Sequence, residues 1–97
     1  MWVLQTSGPE NEPFAFRLRA GGIKTVGRAT RADFILDAPL VSRLHCRLEA
    51  GDDQLEVIDL SSRNGTYVNG KRVKRAHLTK GDTLRVGRVE LTIDRRD

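Results

Sequence analysis

Three short polar segments carry the side chains of this chain that could do chemistry. They are Gly27–Arg28, Ser42–His45 and Arg63–Thr66, and each follows or lies between stretches of β-prone residues. Arginine presents paired N–H donors that match the oxygens of a phosphate or carboxylate, whereas a serine hydroxyl or an asparagine amide supplies a directed single bond. Together these residue types favour recognition of an oxyanion.

Catalysis and metal binding are weaker interpretations of the same segments. His45 and Cys46 are neighbours on a predicted strand, so their side chains point to opposite faces and cannot pair as base and nucleophile. Ser42 and His45 could touch across a loop, but no acidic residue or oxyanion loop accompanies them. Two histidines and one cysteine, without an acidic cluster, do not build a metal site. We therefore expect neither an enzyme, nor a metal, nor a cofactor.

Composition indicates one small domain. The chain has 97 residues, of which 38% are hydrophobic, and this is near the lower end of sizes that bury a self-sufficient core. A single cysteine excludes an intrachain disulfide, and neither a membrane-spanning stretch nor a signal peptide is recognisable. We expect a soluble cytoplasmic domain over residues 1–97, with residues 94–97 as a frayed tail or the start of a linker.

The charge of the chain indicates an anionic partner without naming it. The net charge is +4, from 17 Lys and Arg against 13 Asp and Glu, and the excess is too scattered to identify nucleic acid. Arginine outnumbers lysine, which favours recognition of planar oxyanions. A GC-rich genome would produce the same bias.

The sequence predicts short strands joined by turns, and no segment has a helical period. The predicted strands are Trp2–Thr6, Phe14–Arg19, Ile23–Val26, Ala32–Leu36, Leu44–Ala50, Leu55–Ile58, Thr66–Val68, Lys71–Val73, Thr83–Val86 and Val89–Ile93. Ser7–Pro9 and Glu10–Pro13 form the break after the first strand. Asn69–Gly70 predicts a type I′ hairpin, and Gly87–Arg88 predicts a type II′ hairpin. Many short strands without helices predict an all-β sandwich or barrel.

The motifs, taken in order, resemble the forkhead-associated (FHA) domain. Gly-Arg is followed by Ser-Arg-x-His, then by Asp-Leu-x-Ser-x-Asn-Gly-Thr-x-Val-Asn-Gly, and then by Gly-Asp before a strand pair. The resemblance covers Ile23 to Ile93 by motif and extends to Trp2 by strand pattern. It implies a two-sheet β-sandwich of about eleven short strands, whose loops at one end bind phosphothreonine in an extended peptide.

The resemblance also implies roles for individual residues. Arg28, Ser42 and Arg43 would bind the phosphate, while Arg63 and Asn64 would contact the peptide beside it. The positions expected to brace the loops are Gly27, His45, Gly65, Thr66 and Asn69.

Several of these residues also have simpler structural interpretations. Arg43 and Arg63 are compatible with ordinary solvated surface, and Asn69 with a plain hairpin turn. The basic residues of the segment 71–75 suit a solvated edge that discourages unwanted strand pairing. Selectivity beyond the phosphothreonine is expected from loop residues, namely Leu40, Val41 and Arg88.

Three functions are compatible with the sequence. The first is a phosphothreonine-dependent binding module, a monomer or weak oligomer, whose partner is a protein modified by an upstream Ser/Thr kinase, with no role for nucleic acid or a membrane. The second is phosphate-independent docking or oligomerisation on the same scaffold. The third is a small basic nucleic-acid-binding β-domain, against which stands the scarcity of exposed aromatic residues. The aromatic residues are Trp2, Phe14, Phe16, Phe34 and Tyr67, and most are expected in the core.

Overall fold

The computed structural model describes residues 1–6 and 15–96, and these residues form eleven β-strands and no helix. The strands are β1 (Trp2–Thr6), β2 (Ala15–Leu18), β3 (Ile23–Gly27), β4 (Phe34–Ile35), β5 (Cys46–Ala50), β6 (Leu55–Asp59), β7 (Thr66–Val68), β8 (Lys71–Val73), β9 (Arg75–Leu78), β10 (Thr83–Val86) and β11 (Val89–Arg95). The all-β prediction is confirmed. Within the described part of the chain, nothing forms a helix long and apolar enough to cross a membrane.

The strands pair into two sheets, which confirms the predicted sandwich. One sheet has six strands in the order β2-β1-β11-β10-β7-β8, and the other has five in the order β4-β3-β5-β6-β9. The described strand pairs are antiparallel, except that β4 runs parallel to β3. The rings of Phe16 on β2 and Phe34 on β4 stack with centroids 4.5 Å apart, and both strands are terminal in their sheets. This pair closes one side of the sandwich.

Alternation along the strands builds the core between the sheets. On β5, Cys46, Leu48 and Ala50 are buried, as their period-2 spacing predicts, while Arg47 and Glu49 are half-buried. Full burial of one Leu or Val side chain stabilises the fold by roughly 1.5–3 kcal/mol. The two sheets are therefore rigid supports for the loops at their ends.

Both predicted hairpin turns are present. Asn69 and Gly70 have φ values of 50° and 83° between the paired residues Val68 and Lys71, which fits a type I′ turn. At the turn between β10 and β11, φ is positive at Gly87 (62°) but not at the residue after it, as in a type II′ turn.

The pairing of β1 with β11 places the two described ends of the chain side by side. The Met1 amino group donates to the Arg96 carbonyl (2.7 Å), and the Arg96 N–H donates to the Met1 carbonyl (2.8 Å). Next to them, the buried Trp2 donates its indole N–H to the Gly51 carbonyl at 3.0 Å. Asp94 and Arg95 belong to β11, so they are not the frayed tail that the sequence suggested. Asp97 lies outside the described residues.

Other boundaries differ from the prediction. The strand predicted at 32–36 shrinks to β4, because Ala32 N–H donates to the Ala29 carbonyl and closes a turn. The strand β9 is missing from the predicted strands, and only its first residue, Arg75, belongs to the predicted solvated edge; β8 and β9 are indeed the terminal strands of their sheets. Phe14, and the break predicted over Ser7–Pro9 and Glu10–Pro13, lie outside the described residues.

Candidate functional site

Three loops meet at the end of the sandwich opposite to Met1 and Arg96. They join β3 to β4, β4 to β5, and β6 to β7. Arg28 N–H donates to the Ser42 carbonyl (3.0 Å), and Arg63 N–H donates to the Ser42 hydroxyl oxygen (3.0 Å). The Asn64 side-chain amide donates to the Leu40 carbonyl at 3.1 Å. These bonds fix the three loops against one another.

The loops enclose an open cleft of about 780 Å³, called here the main cleft. All the residues predicted to bind the phosphate or the peptide line it, namely Arg28, Ser42, Arg43, Arg63 and Asn64. Residues 37–41 complete its lining. Residues separated by up to 36 positions in the sequence are thus brought to one concave surface.

Gly27 permits the close approach of two chain segments beneath this cleft. A Cβ atom on Gly27 would lie 2.1 Å from the Arg43 carbonyl oxygen, so a larger residue does not fit. The same crossing carries a bond from Ala29 N–H to that carbonyl at 3.0 Å. The expected bracing position of Gly27 therefore has a steric basis.

His45 connects two of the loops from within the core. The sequence placed it on the outer face with Arg47, but β5 begins one residue later and the imidazole is buried. Its Nδ1 accepts the backbone N–H of Ser42 (3.0 Å), so Nε2 carries the proton and donates to the Gly65 carbonyl (2.8 Å). The Ser42 hydroxyl accepts from Arg63 instead. This geometry braces the loops and is not that of a serine nucleophile with its base.

Asp59 organises the loop between β6 and β7. Its carboxylate accepts bonds from the Ser62 N–H, the Ser62 hydroxyl and the hydroxyl of the buried Thr66. The Ser62 oxygen accepts the Gly65 N–H in turn (3.0 Å). Burial would raise the pKa of Asp59, but the bonds from Ser62 and Thr66 outweigh it and hold the pKa below the ordinary value. Asp59 and Ser62 belong to the family motif but received no predicted role, although Asp and Ser side chains commonly hydrogen-bond nearby backbone groups in turns.

Gly65 accommodates a side chain from β8. Its φ is 90°, and a Cβ atom there would lie 2.7 Å from Nε of Arg72. The guanidinium end of Arg72 therefore lies against the loop that carries Asn64. The sequence predicts only a solvated edge for Arg72, because the strand pattern does not show which loop its long side chain contacts.

Asn69 braces loops at the other end of the sandwich. Its amide donates to the Asp82 carboxylate (3.1 Å), and its side-chain oxygen accepts the Thr83 N–H (2.9 Å). A backbone bond from Thr79 is the main cause of the lowered pKa of Asp82. Asn69 thus forms a hairpin turn and also joins it to the turn before β10, far from the cleft.

The main cleft carries uncompensated positive charge. Arg28 Nε donates to the Val41 carbonyl at 3.1 Å, which directs the guanidinium along the loop, and within the described residues its two terminal nitrogens have no partner. Across residues 1–6 and 15–96, no carboxylate forms an ion pair with Arg28, Arg43 or Arg63. Asp37 is the one acidic residue among those described that lines the cleft. The site is therefore suited to an anion.

Two of the three residues expected to govern selectivity line the main cleft. Leu40 is 45% exposed in a left-handed conformation (φ 70°), whereas Val41 is buried and presents its backbone. Arg88 is exposed on the neighbouring turn but does not line the cleft. Gly87, beside it, packs against the Val41 side chain and the backbone of Pro39 and Leu40.

Comparisons with known proteins identify the family. The FHA domain model matches residues 24–87. The oxoglutarate dehydrogenase inhibitor of Corynebacterium jeikeium is 40% identical over 65 residues, which cover 67% of this chain and 45% of that protein. The chain thus matches less than half the length of this relative.

Solved structures agree with the sequence match. The FHA domain of the CT664 protein from Chlamydia trachomatis superimposes with a TM-score of 0.92 at 24% identity, covering 99% of this chain and 98% of that one; at this identity it shows the fold alone. A structure from an analysis of phosphothreonine-dependent FHA domain interactions has a TM-score of 0.84 at 30% identity, covering 99% and 97%. The chain therefore belongs to the FHA domain family, whose members are phosphopeptide-binding modules.

Proposed function

We propose that this domain binds a phosphothreonine within an extended segment of a partner protein, through the main cleft. The observation that carries the proposal is the convergence of Arg28, Ser42 and Asn64 from three loops onto one cleft, where no described carboxylate forms an ion pair with the arginines. Family membership supports it. Phosphate-binding roles for Arg28, Ser42 and Arg43 are part of the proposal.

The free donors in the main cleft match a phosphothreonine. This group carries about −1.5 to −2 charges at neutral pH and three acceptor oxygens. The terminal nitrogens of Arg28 supply charged donors, and Ser42, whose oxygen already accepts from Arg63, keeps its hydroxyl hydrogen for the phosphate. Asn64 uses one amide hydrogen on Leu40, which leaves its other hydrogen and its oxygen for the peptide backbone.

The proposed partner is a cytoplasmic protein phosphorylated by a Ser/Thr kinase, and the domain acts as a non-enzymatic adaptor. A relative named as a dehydrogenase inhibitor supports regulation by binding. An extended peptide that touches a few loops buries little surface, so the complex belongs with weak, transient signalling contacts.

Replacement of Arg28 tests the proposal. Arg28→Ala should weaken binding of a phosphothreonine peptide by roughly 2–4 kcal/mol, or about 30- to 700-fold, because charge-assisted bonds to the phosphate are lost. Arg28→Lys should also bind poorly, since lysine has no planar fork. Isothermal titration calorimetry with the phosphothreonine, phosphoserine and unphosphorylated forms of one peptide provides the measurement.

The matched control is Arg19→Ala, which removes the same charge at the opposite end of the sandwich and should leave affinity unchanged. The proposal would be refuted if Arg28→Ala bound as tightly as the parent protein. Equal affinity for phosphorylated and plain peptides would also refute it and would favour phosphate-independent docking.

A further inference from the structure

A second cleft of about 780 Å³ lies beside the main cleft, and the two share Arg28 and Arg43 as a common wall. The residues that line it are Arg28, Ala29, Thr30, Arg31 and Arg43. Thr30 and Arg31 belong to none of the motifs and take no part in the binding proposed above. The second cleft therefore needs its own explanation.

Backbone contacts hold the walls of the second cleft in place. Ala29 N–H donates to the Arg43 carbonyl, and Ala32 N–H donates to the Ala29 carbonyl, both at 3.0 Å. The second bond closes a turn with Thr30 and Arg31 at its tip, and the buried Ala32 anchors this turn to the core. Arg31 and Arg43 are thus presented from two loops that are tied together.

The second cleft has a stronger positive bias than the main cleft. Of the described residues, three arginines and no acidic residue line it, whereas Asp37 lines the main cleft. The nearest carboxylate along the chain is that of Asp33, which accepts hydrogen bonds from the Thr25 N–H (2.8 Å) and the Thr25 hydroxyl (3.1 Å). In the described part of the chain, neither Arg31 nor Arg43 forms an ion pair. Mutual repulsion of these guanidinium groups is relieved by a bound anion.

We propose that the second cleft binds a second anionic group of the same peptide, while the phosphothreonine occupies the main cleft. The anion is a carboxylate or a second phosphate, held by Arg31, Arg43 and the Thr30 hydroxyl. Because the two clefts share a wall, this anion lies within a few residues of the phosphothreonine. The inference rests on the proposed function, and it specifies the class of peptide that the domain prefers.

A peptide series with one fixed phosphothreonine tests the inference. One arm places a single glutamate at each neighbouring position in turn, another places a second phosphothreonine there, and the reference peptide has neutral flanks. Affinities are measured by fluorescence anisotropy for the parent, for Arg31→Ala and for Arg19→Ala. Arg31 is exposed and its side chain forms no ion pair or hydrogen bond within residues 1–6 and 15–96, so its replacement should leave the melting temperature unchanged.

The parent should bind at least one doubly anionic peptide roughly 5- to 10-fold more tightly than the reference, as one additional charge-assisted contact provides. Arg31→Ala should abolish this gain while binding the reference peptide as the parent does. Arg19→Ala should keep the gain. The arm that shows the larger gain distinguishes a carboxylate from a phosphate as the preferred group.

Four results would overturn the inference. The gain could persist in Arg31→Ala, or Arg19→Ala could lose it equally, which would indicate general charge attraction. If the reference peptide binds but no second anion improves it, the second cleft is not a subsite and the proposed function stands. If no phosphothreonine peptide binds at all, both proposals fail together.

Discussion

Replacement of Gly27 by alanine should destabilise the fold and the main cleft together. The new Cβ atom would lie 2.1 Å from the Arg43 carbonyl oxygen, 2.8 Å from the Arg43 carbonyl carbon and 2.9 Å from Cα of Leu44. All three are backbone atoms, so no change of side-chain rotamer relieves the contact. The two chain segments must separate by about 1 Å to reach an ordinary non-bonded distance.

The free-energy cost of this movement has two sources, overpacking and the strain on hydrogen bonds between the two segments. Overpacking a well-packed site costs roughly 1–3 kcal/mol. The movement also stretches the bonds from Arg28 to Ser42 and from Ala29 to Arg43, both 3.0 Å long and each worth about 0.5–1.5 kcal/mol. We therefore expect Gly27→Ala to lower the free energy of unfolding by roughly 2–6 kcal/mol. Small domains have about 5–15 kcal/mol in total, so part of the protein should remain folded.

Urea denaturation followed by the fluorescence of Trp2, the single tryptophan, measures this change. Gly51→Ala is the control, because its Cβ would come no closer than 3.2 Å to the Gln54 carbonyl oxygen, and a far smaller loss is expected. Affinity of the folded Gly27→Ala fraction for a phosphothreonine peptide should also fall, as Arg43 is displaced. If the free energy of unfolding and the affinity both matched the parent, the steric reasoning would be wrong.

Asp59→Asn should lower the free energy of unfolding by about 1–3 kcal/mol, because the amide cannot accept all the bonds from Ser62 and Thr66. The pKa of Asp59 is below its ordinary 3.8, so the ionised carboxylate contributes its full stability above pH 3.8, and this stability is lost as the pH falls through the lowered pKa. The free energies of unfolding of the parent and of Asp59→Asn should therefore converge at low pH. A constant difference between the two acid-denaturation curves would contradict this. Burial, and secondarily the Asp59 charge, raises the pKa of the Cys46 thiol to about 12, so iodoacetamide should label Cys46 at pH 8 only in denaturant. The buried neutral thiol contributes to the free energy of unfolding below its ordinary pKa of 9.0, and this contribution is lost as the pH rises toward 12. Rapid labelling of the native protein would show that Cys46 is not buried.

Local chemistry was sufficient to predict much of the fold. Asn69–Gly70 and Gly87–Arg88 specify their turns through backbone preferences that act within two residues. The alternation of Cys46, Leu48 and Ala50 gave the buried face of β5 correctly. These features depend on neighbours along the chain, so the sequence contains the necessary information.

Features that depend on contacts between distant segments were less accessible. The predicted strand begins at Leu44, two residues before β5, and its alternation put His45 on the outer face, whereas its ring is held by Ser42 and Gly65 from two loops. In β9 only Leu78 is buried, while the small Ala76 is half-buried, so the apolar signal was weak. The second cleft, likewise, exists only because the loop that carries Arg31 crosses the segment of Arg43.

Because Met1 and Arg96 lie side by side, a segment joined to either end must be long enough to reach the main cleft of the same molecule. Any residues joined to either terminus emerge on the side away from both clefts, and the molecule measures 33 × 29 × 26 Å. A fully extended chain advances about 3.3–3.6 Å per residue, so roughly eight or more residues must separate a tethered phosphothreonine from the domain before it can reach the main cleft. Under the proposed function, a phosphothreonine on a shorter tether cannot reach the main cleft of its own molecule.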